Sequence, residues 1–211
     1  MSIEDKVALV TGGANGIGFC TARKLLKNGA KAVALLDLAD SGGESAAADL
    51  NNEFGKDRAI FVVCDVAKSE QLKESFKKVI DTYERLDIVI NIAGIMDDAD
   101  WEIMVDVNYH YYEKTGIRML TICPGLTTTA MAARFMSTKE HAMDLLDEET
   151  AANAMTTMQK QPPEHVASAI IQLIENGKNG AIFVIENNQP AYAIEVPSYS
   201  TLKVPIETSS N

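Results

Sequence analysis

The sequence predicts an α/β fold built on a doubly wound parallel sheet, and three observations lead there. Short Val/Ile-rich runs, apolar on both alternating faces, recur along the first half of the chain. Stretches with apolar residues at helical spacing separate them, and a glycine-rich turn joins the first run to the first such stretch. Strands apolar on both faces belong in a sheet covered on both sides, and strand-helix alternation is how a chain covers one.

Taken in order, Lys6 to Thr11, Ala32 to Asp37, Ile60 to Asp65 and Asp87 to Asn91 read as strands, with helices expected over Gly16 to Asn28, Gly43 to Phe54 and Ser69 to Tyr83. In the last of these, Leu72, Phe76, Val79, Ile80 and Tyr83 share one helical face. A helix from about Asp98 to Lys114 follows, stopped by Gly116, then a strand from Ile117 to Cys123 closed by Pro124 and Gly125. A long Met-rich helical stretch runs from Thr129 to Lys160, Pro162 and Pro163 break it, and Glu164 to Glu175 forms a helix ended by Gly177. Ala181 to Glu186 is the last expected core strand. Past Asn187 and Asn188 the prolines at 190, 197 and 205 mark an extended remainder, so one domain is expected over 1–190 with a C-terminal tail over 191–211.

Composition narrows the function classes. With 211 residues, 46% hydrophobic and 23% charged, the chain suffices for one core. Its formal charge of −11 repels phosphate backbones, which argues against nucleic-acid binding. No apolar run approaches the roughly 18 residues of a membrane helix, and Met1 to Lys6 has no leader pattern, so a soluble, cytoplasmic protein is expected. Cys20, Cys64 and Cys123 are odd in number, distant and set in apolar segments, which reads as reduced core thiols. His141 and His165 lack partners at ligand spacing, so no metal is expected and both are placed on solvated helix surfaces.

The turn Thr11-Gly12-Gly13-Ala14-Asn15-Gly16-Ile17-Gly18 sits between a strand and a helix, where backbone N–H groups and the helix dipole can approach a pyrophosphate if no side chain intervenes. Glycines there also serve plain helix-on-sheet packing. Asp37 ends the second strand, 37 − 18 = 19 residues past the last glycine, close to the spacing at which a carboxylate meets the adenosine ribose. A carboxylate at that point repels a 2′-phosphate, and neither Asn15 nor Leu38 supplies a cation, which favours NAD over NADP.

These residues carry a resemblance to the short-chain dehydrogenase/reductase family, whose T-G-x-x-x-G-x-G loop is matched by Thr11, Gly12, Gly16 and Gly18. Asp65-Val66 resembles the family's pair beside the adenine, and Asn91-Ile92-Ala93-Gly94 resembles N-N-A-G with the second Asn replaced. Asn108 falls where the family places a helix Asn at its catalytic site, and Pro124-Gly125 followed by Thr129 resembles its P-G-x-x-x-T segment near the nicotinamide. The matches extend over about residues 5 to 130. Within the family, the runs from Lys6 to Gly12, Leu86 to Val89 and Ile122 to Gly125 are similar to the group of NAD-dependent 15-hydroxyprostaglandin and insect alcohol dehydrogenases. The resemblance implies a Rossmann-like domain, NAD(H) as cofactor, a small apolar alcohol or ketone as substrate, and a Met-rich covering segment marked by Met131, Met136, Met143, Met155 and Met158.

The family's chemistry also needs a Ser and a Tyr-x-x-x-Lys pair between Asn108 and Pro124. That interval contains no Ser, and the residue four before Lys114 is His110. The chain's one Tyr-x-x-x-Lys, Tyr199 to Lys203, lies in the tail. Relative to the family, one strand and about one helix are missing, roughly 40 to 60 residues on ordinary element lengths. Joining what remains gives a legal strand-helix-strand unit, so the Ile117 strand is expected beside the Asp87 strand in a six-stranded parallel sheet. The loss of helices also puts the family's dimer in doubt. Three readings stay open: an NAD-binding protein with impaired or no catalysis, a dehydrogenase using a phenol from the Tyr109, Tyr111 and Tyr112 cluster, and a poorly folded shortened variant. The aromatics and Trp101, Met104 and Val105 also suit plain packing of a helix onto the sheet.

Overall fold

The structure, a computed structural model, describes residues 1–94, 118–137 and 159–195. The first part alternates β1 (Val7–Thr11), α1 (Gly16–Lys27), β2 (Ala32–Asp37), α2 (Gly43–Phe54), β3 (Ala59–Val63), α3 (Ser69–Tyr83) and β4 (Ile88–Asn91). Then come β5 (Thr121–Pro124), α4 (Ala130–Ser137), α5 (Pro163–Asn176), β6 (Ile182–Ile185) and β7 (Tyr192–Ile194).

Four strands form a parallel sheet in the order β3-β2-β1-β4. Its central strands β1 and β2 are apolar on both faces because both faces are covered there. Ala8, Val10, Val33 and Leu35 pack with α1, α2 and α5, through residues such as Leu25, Leu50 and Ile170. Val7, Leu9, Ala34 and Leu36 face the other way, onto Val79, Leu72 and Phe76 of α3. Helices on both faces of a parallel sheet make this the doubly wound α/β fold that the sequence pattern predicts.

The expected six-stranded sheet is not what forms. β5 pairs in parallel with β6, Thr121 opposite Ile182, and β6 pairs antiparallel with β7 in a separate three-stranded sheet. β4 and β5 are not hydrogen-bonded neighbours. Ile88 and Ile185 are buried in one cluster with α1 and α5, and Ile90 and Ile122 pack against it. The helix layer thus satisfies the apolar face of both strands without edge-to-edge pairing. On the opposite face Val89 is 42% exposed, and Cys123 is exposed rather than a core thiol, because the inward position of β5 is taken by its neighbour Ile122. Cys64 is buried and Cys20 half-buried.

Other departures are local. The strand expected from Ile117 is described from Thr121 and includes Pro124. Tyr192–Ile194 forms a short edge strand inside the stretch read as tail, with all three residues exposed. His165 is half-buried rather than fully solvated, its Nε2 lying 2.8 Å from the Gln189 carbonyl oxygen. The helix expected over Asp98 to Lys114, with Trp101, Met104 and Val105, lies outside the described residues, as does His141.

Candidate functional site

The strands of the four-stranded sheet run parallel, so Thr11, Asp37, Val63 and Asn91 bring their C-terminal ends to one edge, where doubly wound sheets take ligands. The turn after β1 has no room for side chains. Gly12 sits at φ +65°, and a Cβ there would lie 2.9 Å from the Ala93 amide nitrogen. A Cβ on Gly18 would overlap the Gly12 carbonyl oxygen, so this glycine lets α1 start tight against the turn. Asn15 is the N-cap of α1 but makes no side-chain cap bond, and the first turn carries no acidic residue. The first-turn amides and the positive end of the helix are therefore left for an anion such as a phosphate.

Asp37 closes β2 beside this turn. Its Oδ2 accepts the Ala14 N–H at 3.1 Å and its Oδ1 accepts the Leu38 N–H at 2.9 Å, which fixes the carboxylate's orientation. Asn15 donates from Nδ2 to the Ser41 carbonyl oxygen at 2.8 Å, bridging the glycine turn to the loop after β2. From Leu38 to Glu44, that loop and the first turn of α2 hold two acids, Asp40 and Glu44, and no Lys or Arg.

Thr11 is buried, and its Oγ1 accepts the N–H groups of Ile92 at 3.0 Å and Ala93 at 3.2 Å. This ties Ala93 and Gly94, with Asn91 at the end of β4, to the glycine turn. Asp65 is engaged locally: its Oδ1 accepts the Ala67 N–H at 3.1 Å and its Oδ2 pairs with Lys68 at 3.3 Å. Val66 beside it is 40% exposed.

On the other side of the turn, Thr129 is the N-cap of α4, its Oγ1 accepting the Ala132 N–H at 3.2 Å. Gly16, at φ +53°, faces this residue, and a Cβ there would stand 3.3 Å from Thr129 Cγ2. The segment from Pro124 and Gly125 to Thr129 thus borders the start of α1, where Ile17 is half-buried. Met131 follows on α4, 50% exposed.

Two polar residues at the site escaped the sequence reading. Among the described residues the buried Ser41 hydroxyl has no partner, and Gln161, 1% exposed, bonds the Gly125–Thr129 segment. A lone Ser in a polar loop and a lone Gln before two prolines carry no periodic or spacing signal, so only the fold reveals them. Asn108, Tyr109 to Lys114, Tyr199, Lys203 and the methionines at 143, 155 and 158 lie outside the described residues. Among the described residues no three His, Cys, Asp or Glu could hold a metal ion, and no helix is long and apolar enough to cross a membrane.

Comparison with known proteins bears on the family and the fold. Residues 6–112 match the family model described as short chain dehydrogenase. The chain is 44% identical over 108 residues to the mouse protein named 15-hydroxyprostaglandin dehydrogenase [NAD(+)], a match covering 51% of this chain and 40% of that one. It is 30% identical over 166 residues to Short chain aldehyde dehydrogenase 1 of Euphorbia lathyris, covering 79% of this chain and 54% of the relative. The chain thus spans about half or less of the length of these relatives. Among solved structures, a short chain dehydrogenase from Burkholderia cenocepacia J2315 in complex with NADP superposes with a TM-score of 0.67 at 18% identity, covering 89% of this chain and 98% of that one. A dehydrogenase/reductase from Sinorhizobium meliloti 1021 gives 0.68 at 19%, covering 89% and 96%. Both share the Rossmann-like fold.

Proposed function

The chain belongs to the short-chain dehydrogenase family, and we propose that it binds NAD(H) at the edge formed by the ends of β1, β2 and β4. The observation that carries this reading is the Asp37 carboxylate, oriented by two backbone N–H groups beside a glycine turn whose helix amides are unspent. The cradle fits the group: it has donors for a pyrophosphate and a close approach guaranteed by Gly12 and Gly18. Thr11, Gly12, Asn15, Gly16, Ile17 and Gly18 hold the pyrophosphate, and Asp37 takes the ribose hydroxyls. Asp65 and Val66 border the adenine. Asn91, Ala93 and Gly94 line the middle of the cleft, with Pro124, Gly125 and Thr129 on the nicotinamide side.

NAD is favoured over NADP because Asp37, Asp40 and Glu44 would repel a 2′-phosphate and no cation in that loop offsets them. When bound, the cofactor supplies hydride acceptance or donation. What the chain's own residues must add is a proton donor or acceptor at the substrate oxygen. The family's Ser and Tyr-x-x-x-Lys are missing from the interval between Asn108 and Pro124, so we propose binding with impaired or no oxidation of secondary alcohols.

Titration of the purified chain with NADH, read by nicotinamide fluorescence and energy transfer from the lone Trp101, tests the reading. Saturable binding in the micromolar range, about −8 kcal/mol, weakened by Asp37→Ala and much weaker for NADPH, is the expected result. Absence of saturation by a cooperatively folded sample overturns it. NADH formation from secondary alcohols, lost on changing Tyr111 and Tyr112 to Phe, would instead establish the substitute-phenol enzyme. A second reading rests on the split sheet and the exposure of Val89 and Cys123: a shortened form whose folding reserve is small. A melt without a cooperative transition is its signature.

A further inference from the structure

Gln161 is the least exposed polar residue of the C-terminal half that is described, at 1%, and most of its bonds go to one loop. Its Nε2 donates to the Ile185 carbonyl oxygen at 2.8 Å, at the end of β6, and more weakly to that of Gly125 at 3.4 Å. Its backbone N–H donates to the Leu126 oxygen at 3.0 Å, and its own carbonyl oxygen accepts from Thr128 N–H at 2.9 Å and Thr128 Oγ1 at 3.2 Å. The Gln161 Oε1 has no donor among the described residues. An apolar residue of the same shape would avoid that orphaned acceptor but would give up both Nε2 donations, which fasten the loop to β6.

The loop so held has a definite place. A dinucleotide lies across the crevice at the strand ends, its pyrophosphate on the start of α1. Asp37 fixes the adenosine half on the β2 side, so the other half extends past Gly16 toward β4 and β5. There it would meet Thr129, whose Cγ2 stands 3.3 Å from where a Gly16 Cβ would be. The residues joining β5 to Thr129 are Gly125 to Thr128, of which Gly125, Leu126 and Thr128 are hydrogen-bonded to Gln161.

We propose that Gln161 is a positioning residue for the nicotinamide half of the site, acting through the Gly125–Thr129 loop that it fastens to the end of β6. This rests on the NAD(H) reading above. It requires that loosening the loop weaken ligands that carry nicotinamide and spare those that stop at the ribose.

Calorimetric titration of the full chain, its Gln161→Met variant and its Thr128→Val variant with NADH and with ADP-ribose tests this. Met keeps the length and removes both side-chain donations, whereas Val removes one hydroxyl from an exposed position. In Gln161→Met, NADH affinity is expected to fall tenfold or more while ADP-ribose affinity stays within twofold; Thr128→Val moves the same way by about threefold. Equal losses for both ligands, or unchanged NADH affinity, overturn the proposal. If Gln161→Met does not fold, Thr128→Val decides by the same criterion. An unmodified chain that folds and binds neither ligand overturns the NAD(H) reading itself.

Discussion

The hydroxyl oxygen of Thr11, at the end of β1, accepts two consecutive backbone N–H groups, from Ile92 at 3.0 Å and Ala93 at 3.2 Å, just past β4. One side chain thereby holds two strand ends together at the crevice and keeps Ala93 against Gly12. Thr11→Val preserves shape and leaves both amides without that acceptor. A loss of about 1–3 kcal/mol is expected, read as a lower midpoint in urea, with weaker NADH binding.

Gly12 meets two constraints at once, a φ of +65° and the Ala93 nitrogen 2.9 Å from any Cβ. Gly12→Ala must therefore strain the turn or push Ala93 away. We expect about 1–3 kcal/mol of lost stability and no measurable NADH binding, checked by thermal melting and fluorescence titration. Retained affinity would show that the turn is not the pyrophosphate site.

Asp87 gives the fold an acid-sensitive joint. Its carboxylate accepts from Arg85 Nη2 at 2.7 Å and from the Val7 N–H at 2.9 Å, and these bonds, Arg85 first, hold it below the ordinary carboxylate value of 3.8. A depressed value means that the folded form is favoured while the carboxylate is ionised. The contribution is fully present above the ordinary value and fades as pH falls through it toward the lower folded one. Asp87→Asn should cost roughly 1 kcal/mol at pH 7 and flatten the acid limb of a stability-pH curve below about pH 4.

The three thiols should differ in reactivity. Burial, reinforced by Glu164, pushes the Cys20 thiol up to about 11, Cys64 is buried, and Cys123 is exposed on β5. Brief treatment with iodoacetamide at pH 8 should label Cys123 first, as peptide mass spectrometry would show. Faster labelling of Cys20 would contradict the packing of α1 on α5.

The fold up to β4 was readable element by element, with bounds that shift by a residue or two: the strand expected over Ile60 to Asp65 forms over Ala59–Val63. Helices over Gly43–Phe54 and Ser69–Tyr83 form at the expected bounds because their apolar positions recur on one face, and β1 and β2 declare themselves by being apolar on both. The partner of β5 was not readable, because an apolar strand states that it is buried and not beside what. β7 was hidden by Pro190 and Pro197 on either side and by a length of three residues, too short to display the alternation that marks a strand. At the site, Gly12, Gly18 and Asp37 announce themselves by spacing. Gln161 has no such rule, since its place follows only from where Gly125 and Ile185 come to lie.

The break between β4 and β5 has a mechanical meaning. Within each sheet, force is carried by rows of backbone hydrogen bonds, but between the sheets, among the described residues, it passes through side chains on α1 and α5. Such a seam yields by sliding. Amides of β5 and β6 should then exchange with deuterium earlier than those of β1 and β2, because the smaller sheet can slip free while the larger one stays zipped.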